Sequence, residues 1–135
     1  MRMIPALLFL LTACSGGRDE PIATGIFAGQ GRDRLCVQKA GDVVSAGLIT
    51  YAATGDTNCT IAGQLQPVGD AFVLTSRADE TCRLSLTLNG PSLRIAKVIG
   101  NCDYYCGPRA NLAGRSFTRA PSAPAPTDFG GTKLC

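Results

Sequence analysis

Cysteine is the residue type that gives this chain most of its chemical options. Seven cysteines occur in 135 residues, and there is no histidine. Metal sites built on Cys and His use paired ligands such as CxxC or imidazole groups, and the sequence contains neither. We therefore expect no bound metal and no cofactor. The thiols are assigned to disulfide bonds and to covalent modification.

The acidic residues favour turns over catalysis. A chain without histidine lacks the commonest general base and cannot form a Ser-His-Asp triad. Asp42, Asp56 and Asp70 lie among turn-forming residues, where such side chains bond to the backbone. A glycosidase-like pair of Glu80 and Asp103 is the alternative, and the turn interpretation is favoured over it. We predict that the protein is not an enzyme.

One short segment carries a partial redox motif. Tyr105-Cys106-Gly107-Pro108-Arg109 resembles the Trp-Cys-Gly-Pro-Cys motif of thioredoxins. Arg109 stands where the resolving cysteine of that motif would be, and no alternating pattern of strands and helices surrounds it. The sequence therefore favours a structural disulfide at Cys106 over a redox pair.

The beginning of the chain has the features of an export signal. Arg2 precedes an apolar segment, residues 4–11, that is too short for the roughly 20 residues of a membrane-spanning helix. The following Leu11-Thr12-Ala13-Cys14 resembles the lipobox of bacterial lipoproteins. The resemblance implies cleavage between Ala13 and Cys14, with diacylglycerol on the Cys14 sulfur and a further acyl chain such as palmitate. An ordinary signal peptide with a chance cysteine is the alternative.

The same resemblance implies a location and partners. Ser15 follows Cys14 where retention in the inner membrane usually requires Asp, so we expect the outer membrane, with the domain facing the periplasm. The lipid would be the only membrane contact. The net charge is +3 and the basic residues are scattered, which does not favour nucleic acid. An envelope protein is the other expected partner.

Assigning Cys14 to lipid leaves an even number of cysteines, which predicts three disulfides in an oxidising compartment. Cys102 and Cys106 are expected to pair with Cys59 and Cys82, because an up-and-down strand order brings all four to one end of the sheet. The order within these two pairs is left open. This leaves Cys36 to pair with Cys135 and tie the end of the chain to the domain.

The lipobox resemblance implies a signal peptide at 1–13. The composition of the remaining chain predicts a flexible tether at 14–28, a β domain at 29–119 and a Pro/Ala-rich tail at 120–135. Short apolar–polar alternations recur about every 8–12 residues between 35 and 99, and 116–119 could add a closing strand. We predict an all-β fold, a small antiparallel meander of six to eight strands closing into a disulfide-bonded barrel. One helical turn is expected near 102–106.

Tyr104 and Tyr105 bring together two of only three tyrosines in the chain. They are the candidate binding surface, because tyrosine is enriched at protein interfaces. The alternative, which is favoured, is that one packs over the barrel end and the other covers a disulfide. Arg109, Arg115 and Arg119 form a loose basic cluster nearby in sequence, which is typical of a solvated face.

Two further resemblances concern the domain itself. Cys102-x-Tyr104-Tyr105-Cys106-Gly107-Pro108, continuing to Gly114 and Phe117, is similar to a segment of small uncharacterised proteobacterial lipoproteins. The lipid-anchored, disulfide-bonded barrel and a Ser45-Ala46-Gly47-x-x-x-Tyr51 segment resemble the membrane-bound inhibitors of c-type lysozyme, although this chain has no Trp. The first resemblance brings no known activity, and the second implies lysozyme inhibition. With the residues that disfavour an enzyme, we predict a non-enzymatic binding or structural module of the envelope, with lysozyme inhibition as the alternative.

Overall fold

The computed structural model describes residues 22–135; the expectations for residues 1–13, for Cys14 and for the first part of the tether lie outside them. The described residues form eight strands and one 3₁₀ turn at Cys102–Tyr105. The strands are β1 (Gly25–Ala28), β2 (Arg34–Ala40), β3 (Val43–Tyr51), β4 (Asn58–Val68), β5 (Ala71–Ser76), β6 (Arg83–Asn89), β7 (Ser92–Ile99) and β8 (Ser116–Arg119). Within these residues, no helix is long and apolar enough to cross a bilayer.

Each strand pairs antiparallel with the next one along the chain, and β8 pairs with β1 to close the barrel. This confirms the predicted all-β meander, its strand number and the single helical turn. A closed barrel has no free sheet edge, so no row of backbone donors and acceptors is left for other chains to pair with. The fold therefore interacts with partners through its surface and its connecting segments.

The strand β1 lies inside the segment predicted as tether, so the boundary at residue 28 is corrected. Phe27 is 1% exposed and pairs with Leu35 of β2 and Arg119 of β8. Ile22, just before β1, also packs into the core. A four-residue strand with one buried side chain has too little alternation to be recognised in a sequence rich in glycine.

The alternation predicted for β4 and β6 places their apolar side chains in the barrel interior. Ile61 and Leu65 of β4 are at most 3% exposed, and Leu84 and Leu86 of β6 are fully buried. Burying a side chain of this size is worth about 1.5–3 kcal/mol. Other strands and the last long connection complete the interior with Phe27, Leu35, Val37, Ala46, Leu48, Leu74, Leu93, Ile95, Leu112 and Phe117.

A β-bulge in β7 changes which of its residues face inward. Ser85 pairs with Lys97 but Leu86 pairs with Ile95, so Ala96 is an extra residue on the β7 side. The extra residue reverses the alternation beyond it. Val98 consequently packs against the core, whereas Ile99 is 38% exposed. Without the bulge, the charged Lys97 would point into the interior.

The two ends of the barrel differ in the length of their connections. One end, here called the turn end, has the two-residue turns 41–42, 69–70 and 90–91. The other, the loop end, has the four longer connections 29–33, 52–57, 77–82 and 100–115. Because β1 begins at the turn end, the chain preceding the barrel enters there. Surface loops are the usual carriers of binding residues, so the loop end is the place to look for a site.

The three predicted disulfides are present. Cys36 is bonded to Cys135, as expected. The structure also fixes the order that was left open, because Cys59 is bonded to Cys106 and Cys82 to Cys102. The last two bridges lie at the loop end and hold the 3₁₀ turn from both sides.

The tail is held on the outside of the barrel. Leu134 donates its amide to the Pro126 carbonyl oxygen at 3.1 Å, and Thr127 pairs with Lys133. Leu134 lies directly over Gly47 of β3, so closely that a Cβ at Gly47 would collide with the Leu134 backbone. The Cys36–Cys135 bridge fixes the last residue of this segment. The Pro/Ala-rich tail is therefore held by its bridge and by contact with an outward-facing glycine.

Gly47→Val is expected to weaken this contact. A branched side chain would occupy the space of the Leu134 backbone, and overpacking of this kind costs about 1–3 kcal/mol. Urea unfolding would measure the loss, and tryptic cleavage after Lys133 should become faster. In a chain that also carries Cys36→Ala and Cys135→Ala, the tail can move away, so the same substitution should cost much less. Equal costs in both backgrounds would contradict the proposed contact.

Candidate functional site

The 3₁₀ turn at the loop end is held rigidly by covalent and backbone bonds. Cys102 begins the turn and is bonded to Cys82, while Cys106 directly follows it and is bonded to Cys59. Cys59 and Cys106 also form a backbone bridge. The Gly107 amide donates to the Asn58 carbonyl oxygen at 2.8 Å. The turn therefore has little freedom to move relative to β4 and β6.

The two tyrosines on this turn have different environments. Tyr105 is partly buried and packs against the hydrophobic core. Tyr104 is 86% exposed, the most exposed of the large hydrophobic side chains in the described residues. Their rings meet edge to face with centroids 5.4 Å apart and an interplanar angle of 87°. Packing thus accounts for Tyr105. Tyr104 extends into solvent from a turn held by two disulfides, with its ring against that of Tyr105.

A cleft of about 800 Å³ lies beside the two rings. We call it the tyrosine cleft, and its lining is Ala78, Asp79, Gly100, Asn101, Asp103, Tyr104 and Tyr105. The connections 77–82 and 100–115 approach closely at its base, because a Cβ on Gly100 would collide with the Thr81 carbonyl oxygen. Gly100 has a positive φ of 79°, a conformation that favours glycine. The cleft therefore depends on glycine at this position.

Asp79 and Asp103 place carboxylates on the walls of the tyrosine cleft. The Thr81 hydroxyl and amide donate to Asp79 Oδ1 at 2.7 and 2.9 Å. These two hydrogen bonds, from the hydroxyl and then the amide, hold the pKa of the Asp79 carboxyl below its ordinary value. Asp79 therefore stays ionised to a lower pH than an ordinary aspartate. Sequence reasoning missed it, although the Asp-x-Thr spacing is a recognisable turn signal.

A second cleft at the loop end, of about 540 Å³, is built around an ion pair. Arg115 Nη1 lies 3.1 Å from Asp33 Oδ2, and the Asp33 side chain is 3% exposed. Arg115 also donates to the Tyr51 carbonyl oxygen and to Asn111 Oδ1, while Asp33 Oδ1 accepts the Tyr51 amide. These polar groups connect two loops, 29–33 and 100–115, to the end of β3, which is a structural role.

Arg32 and Arg109, on the same side of the loop end, also have partners within the protein. The Arg32 guanidinium carbon lies 4.0 Å from the centroid of the Tyr51 ring, and its Nη2 donates to the Gly55 carbonyl oxygen. Arg109 lies 3.5 Å from Asp56, with both side chains more than half exposed. An exposed pair of this kind contributes little to stability. Its effect here is to pair the Asp56 carboxylate with a cation.

The residues singled out as other candidates do not assemble into a site. Glu80 lines a separate cleft with Arg77, whereas Asp103 lines the tyrosine cleft, so the two carboxylates do not line a common cleft. Arg119 donates to the Thr24 carbonyl oxygen at the turn end, far from Arg115 in the loop network. Among residues 22–135, no three His, Cys, Asp or Glu side chains are placed to share a metal ion.

Comparisons with known proteins do not identify a relative. No protein-family model matches the chain, and neither a curated protein nor a solved structure matches it.

Proposed function

We propose that this protein is a lipid-anchored, non-enzymatic component of the bacterial envelope that presents its barrel as a binding module. The observation that carries the proposal is the position of Tyr104, an exposed aromatic side chain on a turn held by two disulfides. A rigid exposed tyrosine binds without the entropic cost of first being ordered. Its companion Tyr105 supports the ring from the core side.

The topology supports display away from a membrane. The chain enters the barrel at the turn end, through Ile22 and β1, and the tyrosine cleft lies at the loop end. The eight residues from Cys14 to Pro21 would reach at most about 29 Å when fully extended. A lipid on Cys14 would thus keep the turn end near the bilayer and direct the tyrosine cleft toward the periplasm. Several acyl chains would make this attachment effectively permanent.

The absence of an enzymatic role is part of the same proposal. The sequence offers no histidine as a general base. At the loop end, Asp33 and Asp56 each face an arginine, and Asp79 accepts hydrogen bonds from its own turn. Asp33 and Asp56 thus serve the structure of the loops, and Thr81 holds the Asp79 carboxylate in position.

The anchor is tested by Cys14→Ser. The full chain, expressed in a Gram-negative host fed an alkyne analogue of palmitate, should incorporate the label, and Cys14→Ser should lose it. The variant should also move from the membrane to the soluble periplasmic fraction, because serine offers no thiol for lipid attachment. Ser15→Ala is the matched control and should keep the label. A labelled Cys14→Ser protein would overturn the anchor.

The membrane of residence is tested separately. Ser15→Asp is expected to shift the labelled protein from the outer to the inner membrane, as measured by density-gradient separation of the two membranes. An unlabelled or soluble Ser15→Asp protein would show that this position affects processing, which would contradict its proposed role in sorting.

Inhibition of c-type lysozyme is the second candidate, favoured by the small disulfide-bonded barrel. The segment that carries the resemblance has limited access, since Leu134 covers Gly47 and Arg32 stacks on Tyr51. A lysozyme assay with micromolar protein decides the matter, and no inhibition would remove this candidate. Inhibition that survives Tyr104→Ala would assign it to a surface other than the tyrosine cleft.

A further inference from the structure

We propose that the tyrosine cleft binds an arginine- or lysine-bearing segment of a partner protein. The inference rests on the proposed function and names the chemistry of its partner. The cleft joins an exposed aromatic ring to carboxylates on a rigid frame, with Tyr104 beside Asp103 on the 3₁₀ turn and Asp79 on the facing connection.

The carboxylates of the loop end differ in whether they are paired with a cation. Among the described residues, Asp33 and Asp56 form ion pairs with Arg115 and Arg109, whereas Asp79 and Asp103 form none. The side with Asp33 and Asp56 therefore has its carboxylates paired, whereas the tyrosine side has two that are in no ion pair. A cationic partner is complementary to such a surface, and anionic lipid or nucleic acid is repelled by it.

The cations nearest to the cleft do not line it. Arg77 begins the same connection as Asp79 but lines a different cleft, together with Glu80. The Arg83 Nε donates to the Glu80 carbonyl oxygen at 3.3 Å. Neither arginine is among the residues that line the tyrosine cleft. The carboxylates of Asp79 and Asp103 are consequently left for an external cation.

The cleft combines an aromatic ring with charge. A guanidinium or ammonium group placed over a tyrosine face is attracted by the ring, and a carboxylate in reach adds its own attraction to the same cation. The same molecule shows this geometry at its other cleft, where Arg32 lies 4.0 Å from the Tyr51 ring centroid. Tyr104 offers an equivalent face to solvent, since it is 86% exposed. Asp103 is the adjacent residue on the same turn, and Asp79 faces it across the cleft.

The test uses the full chain carrying Cys14→Ser, oxidised and labelled with nitrogen-15. The probe is a ten-residue peptide containing three arginines among glycine and serine, and a peptide with glutamate in place of arginine serves as its counterpart. NMR titration at low salt should show shifts at Asp79, Gly100, Asn101 and Asp103 with the arginine peptide only. Binding should weaken several-fold between 20 and 300 mM salt, because charges at the surface are screened.

Three variants make the result specific. Tyr104→Ala should weaken binding about tenfold or more, as expected for an aromatic hot spot. Asp79→Asn with Asp103→Asn should weaken it to a similar degree and flatten the salt dependence, while the amide oxygen introduced at position 79 can still accept the Thr81 hydrogen bonds. Asp42→Asn with Asp70→Asn is the matched control, since it removes the same charge from exposed turns at the opposite end. This control should bind like the parent.

Several outcomes would overturn the inference. Equal weakening by the control variant would show non-specific attraction, and shifts at the Asp33–Arg115 cleft alone would place the cation elsewhere. Binding of the glutamate peptide or of anionic vesicles would contradict the charge argument, and concentration-dependent shifts without peptide would indicate a second copy as the occupant. If the peptide does not bind but the chain with Cys14 incorporates palmitate, this inference alone is rejected. If the peptide binds but the chain with Cys14 incorporates no palmitate, only the anchor is rejected.

Discussion

Replacing Arg115 with alanine is expected to destabilise the barrel by about 3–5 kcal/mol, the range for breaking one partner of a buried ion pair. The substitution leaves the Asp33 carboxylate, 3% exposed, without its cation. It also removes the donors to the Tyr51 carbonyl oxygen and to Asn111 Oδ1. The expected loss is large because one side chain connects two loops to the end of β3. Urea unfolding followed by circular dichroism measures it.

A double-mutant cycle provides the control for this prediction. Asp33→Ala alone removes the buried charge but leaves the Tyr51 amide without its acceptor, since that amide donates to Asp33 Oδ1 at 2.8 Å. The double variant Asp33→Ala with Arg115→Ala should lose clearly less than the sum of the two single variants, since neither charge is then unpaired. Additive losses would contradict direct coupling. Arg109→Ala, in the exposed pair with Asp56, should change stability by less than about 1 kcal/mol.

The barrel could be predicted from the sequence because its strands follow local rules. Alternating residues such as Leu84, Leu86 and Leu88 show which face is buried, and the turn residues between the segments show where the chain reverses. Sequential pairing then follows as the simplest connection. Two features lacked such a local signal. The strand β1 is too short to alternate, and the β7 bulge at Ala96 becomes visible only through its pairing with β6.

The order of the loop-end disulfides has a simple topological reason. Cys102 lies three residues after the end of β7, and β7 is the neighbour of β6, which Cys82 directly precedes. Cys59 lies at the start of β4, three strands from β7, so only the later cysteine of the connection reaches it. Cys106 is that residue. The same reasoning could have fixed the order from the sequence once the meander was accepted.

The candidate site was only half predictable. Tyr104 and Tyr105 were recognised by their concentration in one segment, but Asp79 is brought to them by the packing of connection 77–82 against Gly100. The Asp33–Arg115 pair joins residues 82 positions apart, and no spacing rule relates them. Contacts of this kind depend on which loops share an end of the barrel. They become predictable only after the topology is known.

Removing the Cys36–Cys135 bridge, by replacing both cysteines with alanine, is expected to cost about 4 kcal/mol of stability while leaving the barrel folded. The bridge joins residues 99 positions apart, although the Cys59–Cys106 bridge already shortens that loop in the unfolded chain by roughly half. The loss arises mainly from the greater freedom of the unfolded state. In the folded state the bridge supports only the tail, where Leu134 rests on Gly47.

An effect on the unfolded state distinguishes the Cys36–Cys135 bridge from an interaction in the core. The variant should retain the β-sheet circular dichroism spectrum and the two loop-end bridges on peptide mapping, and its urea midpoint should fall. Its unfolded state is less constrained and exposes more surface, so the dependence of unfolding free energy on urea should become steeper. Ser122→Ala, in the same tail but outside the bridge, is the matched control and should leave the midpoint unchanged. A loss below about 1 kcal/mol would contradict the expected effect on the unfolded state. The bridge would then only hold the tail on β3.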